Sequence, residues 1–222
     1  MSSNRIIVFD LDDTLYQEAD FVSSGFMHIA ACIRIPECHH QLIRWWQEGK
    51  DAFEELINHY RLHIDKNDLL SIYRYQQPDI SLFQDVRNVL QMLSANNTIG
   101  LITDGRKLTQ WNKIKALGLT EYIEPDNIII SEEFGYLKPA KEPYKFFMDK
   151  YPNAYYCYVG DNLSKDFVAP NQLGWDSICL IDHGNNIFKQ DFEQCPKSHL
   201  PRKTTTRFSE IINLIGDGEV VV

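Results

Sequence analysis

Three aspartates stand within four positions at the end of an apolar run in the stretch IIVFDLDDTLY, residues 6–16. Asp10, Asp12 and Asp13 repel one another, and a carboxylate is costly to bury without a partner. Such a cluster is tolerated where something cationic binds it. Other apolar runs end in the same way. IGLIT closes on Thr103 and is followed by Asp104 and Gly105, and YYCYV is followed by Gly160 and Asp161, with Asp166 five residues further on. Between these two runs GYLKP presents Lys138. If the runs are neighbouring parallel strands, carboxylates, a hydroxyl and an ammonium gather at the edge where open parallel sheets bind ligands. The donors are hard oxygens with no His or Cys beside them, which selects Mg²⁺ over zinc. Mg²⁺ keeps positions for water and phosphate oxygens, so the chemistry it fits is phosphoryl transfer. Lys138 supplies a second positive charge, and Thr103 and the backbone amide of Gly105 can donate to a phosphate.

The elements that must position these groups are legible in the hydrophobic pattern. Short apolar runs recur at 6–9, 99–103, 128–131, 155–159 and 177–181. Helical patterns lie between most of them: Val86, Val89, Leu90 and Leu93 repeat at i, i+3, i+4, i+7, and Trp111, Ile114, Lys115 and Leu117 precede Gly118, a helix C-cap. Strands apolar on both faces and alternating with helices predict an α/β fold, a doubly wound, mostly parallel sheet. Residues 17–80 break the alternation. They read as four helices, the last opening on an Asp65/Asp68 capping pattern. The chain therefore divides into an α/β core, 1–16 and 81–222, and a smaller all-helical insert, 17–80, at the mouth of the sheet. The polar stretch 183–206, with Pro196 and Pro201, reads as a long loop without an assigned role.

Composition narrows the partners. At 222 residues the chain can bury a substantial core, and its 31 acidic against 22 basic groups give a net charge of -9. Nucleic acid polymers are disfavoured, because their affinity rests on clustered Lys and Arg. The five cysteines, Cys32, Cys38, Cys157, Cys179 and Cys195, are odd in number and scattered. That usage suits a reducing compartment. Neither a signal peptide nor an apolar run of ~18 residues stands out. A cytoplasmic monomer or homodimer acting on a small molecule, with no membrane, is the expectation.

In chain order the motifs resemble those of the haloacid dehalogenase superfamily, which is mostly phosphatases. DLDDT is similar to its DxDxT signature, LITDG to the second motif, LKP to the third with its Lys, and VGDNLSKD to the acidic fourth. The resemblance implies that Asp10 is the nucleophile and forms an aspartyl-phosphate, and that Asp12 protonates the leaving alcohol and then activates water. It implies that Thr103, Asp104, Gly105 and Lys138 surround the phosphate. Asp10, Asp161, Asp166 and the main-chain carbonyl of Asp12 would attend Mg²⁺. The insert would be a helical cap between the first two motifs, and only about 32 residues separate Thr103 from Gly135, too few for a cap at the alternative place. An acid two residues after the nucleophile favours phosphate esters over carbon–halogen bonds, since halide leaves without a proton.

The resulting expectation is a Mg²⁺-dependent phosphohydrolase of a small phosphate monoester, a sugar phosphate or a nucleoside monophosphate. A sugar-phosphate mutase and a catalytically silent binding protein on the same core are the alternatives. Asp13 is expected to point away from the phosphate. His59 and His63 stand at metal-binding spacing but lack a third ligand, and read as surface residues. Trp45 and Trp46 cannot both face one core. Tyr16 and Gln17 are placed either to touch substrate or to form a hinge.

Overall fold

The computed structural model describes residues 4–215. Strand β1 (Arg5–Phe9) is followed by four helices, α1 (Glu18–Ile33), α2 (Cys38–Gln47), α3 (Ala52–Tyr60) and α4 (Lys66–Tyr75). The chain continues through α5 (Gln84–Ser94), β2 (Thr98–Thr103), α6 (Lys107–Ala116), β3 (Ile128–Ile130), α7 (Ser131–Phe134), α8 (Glu142–Lys150) and β4 (Tyr155–Gly160). It closes with α9 (Val168–Gln172), β5 (Asp176–Leu180), β6 (Lys203–Thr205) and α10 (Ile211–Leu214). The strands form one parallel sheet in the order β3-β2-β1-β4-β5-β6. The chain first builds outward from β1 through β2 to β3, then crosses to β4 on the other side. That reversal flanks β1 with β2 and β4, and opens the crevice in which sheets of this kind bind ligands. The expected doubly wound α/β architecture is observed.

Each core strand buries both faces, which is why it reads as a continuous apolar run. Ile7 and Phe9 point to one side with Leu101, Val159 and Ile178, where they meet Val86, Val89, Leu90 and Leu93 of α5. Ile6, Val8, Ile102 and Tyr158 point to the other and pack on Tyr144 and Phe147 of α8 and on Trp175. Gly100 sits opposite Val8 in the ladder, and a Cβ there would lie 2.5 Å from the Phe147 ring. The ring occupies the space that a side chain would need.

The four helices of the insert carry a separate core of Val22, Phe26, Ile29, Leu42, Trp45, Leu56 and Leu69. Trp45 is buried there, whereas Trp46 is half-buried. Asp51 and Asp65 cap α3 and α4 by accepting from Glu54 N at 3.1 Å and Asn67 N at 2.6 Å. Buried Gln76 pins α1 to the end of α4, accepting from Ser24 Oγ at 2.7 Å and donating to the Phe21 and Tyr73 carbonyls. The insert meets the core through Thr109 Oγ1, which donates to Arg74 O, and Asn112 Nδ2, which donates to Gln76 O.

Two expectations are corrected. Ser131 belongs to α7 rather than to the third strand. Within the stretch 183–206, read as loop throughout, Lys203–Thr205 forms the edge strand β6, paired with β5. Three polar residues with a lysine carry no apolar signal, because an edge strand is covered on fewer sides. Among the described residues no helix is long and apolar enough to cross a membrane. The five cysteines are free.

The packing at Gly100 makes a prediction. Gly100→Ala should destabilise the fold by about 1–3 kcal/mol in urea unfolding, the usual penalty of overpacking. Adding Phe147→Leu, which removes the clashing ring atoms, should leave the double variant more stable than the sum of the two single losses. Additive losses would mean that the ring does not occupy that space.

Candidate active site

Phe9 at the end of β1 pairs in parallel with Leu101 of β2 and Val159 of β4, so Asp10, Thr103 and Asp161 emerge at the same edge. Lys138 reaches them from the loop after α7. Its ammonium lies 2.8 Å from Asp10 Oδ1, 2.7 Å from Asp166 Oδ1 and 3.1 Å from the Tyr158 hydroxyl, so its three protons have three acceptors. Burial opposes a charge on Lys138, but Asp10 and Asp166 outweigh it and hold the ammonium well above its ordinary range. Asp166 is fully buried, and its Oδ2 accepts from Asp161 N at 3.2 Å and Asn162 N at 2.9 Å. This approach requires Gly160, where a Cβ would lie 2.5 Å from that oxygen.

The donor set suits a hard divalent cation. Carboxylate oxygens of Asp10, Asp161 and Asp166 lie within 4.8 Å of one another, all buried. Burial pushes Asp10 up to about 7, against the pull of Lys138 and with the push of Asp166. Burial, followed by the charges of Asp166 and Asp10, pushes Asp161 up to about 9. One ammonium does not balance three carboxylates, and a cation among them would restore their ionised forms. Both oxygens of Asp166 are already engaged by Lys138 and two amides. Asp166 thereby holds Lys138 in place beside Asp10.

Asp12 has its own cation. Lys113 Nζ lies 2.7 Å from its Oδ1, Gln110 Nε2 donates to its Oδ2 at 3.0 Å, and the Tyr16 hydroxyl donates to it as well. Burial works to raise the Asp12 pKa, but the Lys113 charge and these hydrogen bonds together hold the carboxyl below its ordinary range. The proton-holding Asp12 expected from its role as an acid is thus not what this arrangement favours; the ion pair stabilises the carboxylate. Gln110 Nε2 also donates to Thr103 Oγ1 at 2.6 Å, leaving the Thr103 proton available to a ligand.

Other expected phosphate contacts are placed differently. The Gly105 amide donates to Ser131 Oγ at 2.9 Å, so that donor is already used. Asp104 turns its carboxylate to Lys138 N at 3.1 Å and Lys165 Nζ at 3.2 Å, where it braces the Lys138 loop. Asp13 does point away, in a left-handed conformation with φ of 56°. Its two oxygens accept from Glu18 N at 2.8 Å and Ile187 N at 2.9 Å. Tyr16 contacts Asp12, and His59 and His63 are exposed outside the carboxylate cluster.

A sequence profile described as haloacid dehalogenase-like hydrolase matches residues 7–180. The chain belongs to that family. Glyceraldehyde 3-phosphate phosphatase of Methanocaldococcus jannaschii is 26% identical to this hydrolase over 202 residues, 79% of this chain and 84% of the relative. The enzyme of the same name from Methanopyrus kandleri is 24% identical over 241 residues, 95% of this chain and 97% of the relative. The crystal structure of the HAD-hydrolase YfnB from Bacillus subtilis, bound to magnesium, superposes with a TM-score of 0.71 at 20% identity, covering 96% of this chain and 99% of that one.

What sequence reasoning missed in this haloacid dehalogenase-like hydrolase is the polar face of α6. Gln110, Lys113, Ile114 and Leu117 share one side at i, i+3, i+4, i+7, and all four are buried. The spacing was present, but the helical pattern reads through Trp111, Ile114, Lys115 and Leu117, and gives Gln110 and Lys113 no role.

If Lys113 is what holds Asp12 ionised, Lys113→Met should move the Asp12 titration upward, because burial then acts with less opposition. Carboxyl ¹³C shifts against pH would show it. A carboxyl with a depressed folded pKa stabilises above its unfolded pKa and ceases to as pH falls. The stability cost of Lys113→Met should therefore be largest near neutrality and shrink on acidification. An unmoved Asp12 titration would contradict the assignment.

Proposed function

We propose that this hydrolase is a Mg²⁺-dependent phosphatase of small phosphate monoesters, working through an aspartyl-phosphate on Asp10. The observation that carries the reading is the buried arrangement of Asp10, Lys138 and Asp161 at the switch point, with an acid two residues after Asp10 on a separate ion pair. When bound, Mg²⁺ supplies positive charge that offsets the phosphate oxygens and keeps Asp10 ionised; Asp10 and Asp161 would hold it, with the Asp12 carbonyl.

In the first step a carboxylate oxygen of Asp10 attacks phosphorus, and the bond to the ester oxygen breaks. Lys138 and the Thr103 hydroxyl offset charge on the transferring group. Asp12 gives its proton to the departing alcohol. Lys113 disfavours that proton in the free enzyme, but a dianionic phosphate beside Asp12 raises its pKa and weighs the other way. In the second step the Asp12 carboxylate takes a proton from water, which attacks phosphorus and releases Asp10. Here the Lys113 pair stabilises the form that acts as base.

The names of the archaeal relatives support a small sugar phosphate as the leading substrate class, ahead of nucleoside monophosphates. The helical insert, residues 17–80, is positioned to act as a lid. It contacts the core beside Asp12, where Lys113 Nζ lies 4.3 Å from the Phe21 ring centroid. A closed lid excludes water and bulky substrates.

Phosphate release from a panel of sugar phosphates and nucleotides tests the reading. Chelation should abolish release and Mg²⁺ restore it. Asp10→Asn should form no phosphoenzyme on rapid quench. Asp12→Asn should lower turnover by about 10²–10⁴-fold, with a smaller first-step loss for an aryl phosphate whose phenolate leaves without much protonation. Full turnover in excess chelator, or a phosphoenzyme from Asp10→Asn, would overturn it.

A further inference from the structure

The stretch between β5 and β6 folds back onto Asp161 and Asp13. Asp182 Oδ1 accepts from the amides of Gly184, Asn185 and Asn186 at 2.8, 2.8 and 3.0 Å, which closes a tight polar turn. Asp182 N donates to Gln190 Oε1 at 2.9 Å, fastening the far end of the same loop. Two side chains of the loop then reach Asp161. Asn186 Nδ2 donates to its Oδ2 at 2.9 Å, and Gln190 Nε2 donates to its main-chain carbonyl at 2.7 Å. Gln190 also donates to Leu180 O at 2.9 Å, and the Ile187 amide holds Asp13 Oδ2.

We infer that Asn186 is a positioning residue for the divalent cation, orienting the Asp161 carboxylate by holding one of its two oxygens. The inference rests on the reading of Asp161 as a metal ligand. A carboxylate turns easily about its last torsion, which is broad and roughly two-fold. Its other contact, from Thr14 Oγ1 to Oδ1, is long at 3.4 Å. Without Asn186 nothing of ordinary hydrogen-bond length holds that side chain among the described residues. The chemical type of the donor matters. An ammonium, as Lys138 supplies to Asp10 and Asp166, would orient Asp161 but also neutralise it and repel an incoming cation. A neutral amide orients the carboxylate and leaves its charge for the metal. Gln190 fixes the backbone of the same residue, so ligand and main chain are held from one loop.

Calorimetric titration of the full chain, stripped of metal, with Mg²⁺ tests this without reference to activity. Asn186→Ala should weaken Mg²⁺ binding by about 10–100-fold, the usual cost of losing a partner of a ligand. Asn185→Ala, in the same turn but with only its amide engaged, should bind within about twofold of the wild type. Asp161→Asn should lose binding. For Asn186→Ala, saturating Mg²⁺ should restore kcat, which a general loss of structure would not permit. Gln190→Ala loosens the same residue from the main-chain side and should shift affinity in the same direction, so it decides the matter if Asn186→Ala melts prematurely. Wild-type affinity in Asn186→Ala, or in Gln190→Ala where that variant decides, with binding lost in Asp161→Asn, overturns the inference and leaves the site reading standing. Wild-type affinity in Asp161→Asn overturns both.

Discussion

The buried ammonium of Lys138 organises this site. Lys138 divides its protons among Asp10, Asp166 and Tyr158, and so ties the loop after α7 to the ends of β1 and β4. An ion pair removed from water is sustained only when geometry and further hydrogen bonds offset the desolvation of both charges. Here the surroundings meet that demand. Two backbone amides complete Asp166, Gly160 lets it approach, and Asp104 holds the amide of Lys138 itself. Yet the balance stops short of neutrality. With Asp161 included, three buried carboxylates face one ammonium, and burial above all, with the charge of Asp166 behind it, holds Asp10 and Asp161 above the ordinary carboxylate range. A divalent cation among these carboxylates would offset that excess of negative charge.

A second polar centre lies beside the first and is kept separate from it. Asp12 takes Lys113, Gln110 and Tyr16, with Gln110 joining it to Thr103. Two carboxylates two residues apart thus acquire different environments. One shares an ammonium with Asp166, and the other has an ammonium to itself. Differing surroundings are how neighbouring acids come to play different parts. The Phe21 ring of α1 lies against the Lys113 ammonium that pairs with Asp12.

Asp13 connects the remaining parts. One oxygen caps the approach to α1 through Glu18 N, and the other holds Ile187 in the loop that reaches Asp161. The insert and the metal-side loop are therefore fastened to the same residue, next in sequence to Asp12. Burial, followed by the charge of Asp12, pushes the Glu18 carboxyl at this junction up to about 8.

Much of this was legible in the sequence. Continuous apolar runs separated by amphipathic helices determine a parallel sheet, since only strands buried on both faces read that way, and the residues following those runs must emerge at one edge. Asp10, Thr103, Lys138, Asp161 and Asp166 could be assembled from that rule and from the chemistry of hard oxygen donors. The four insert helices were visible through their own apolar spacing. What the sequence left open were choices among partners. Gln110 and Lys113 drew no assignment because a polar residue on a helix gives no sign that its face meets another polar group. Asn186 and Gln190 lay in a stretch without periodicity, since a loop held by side-chain hydrogen bonds needs none. Which lysine serves which aspartate, and which amide is already used before a ligand arrives, depend on distances of a few tenths of an ångström between segments far apart in the chain. Hydrophobic spacing sets which elements form and where their ends meet; only the packed structure decides how the charges at those ends are shared.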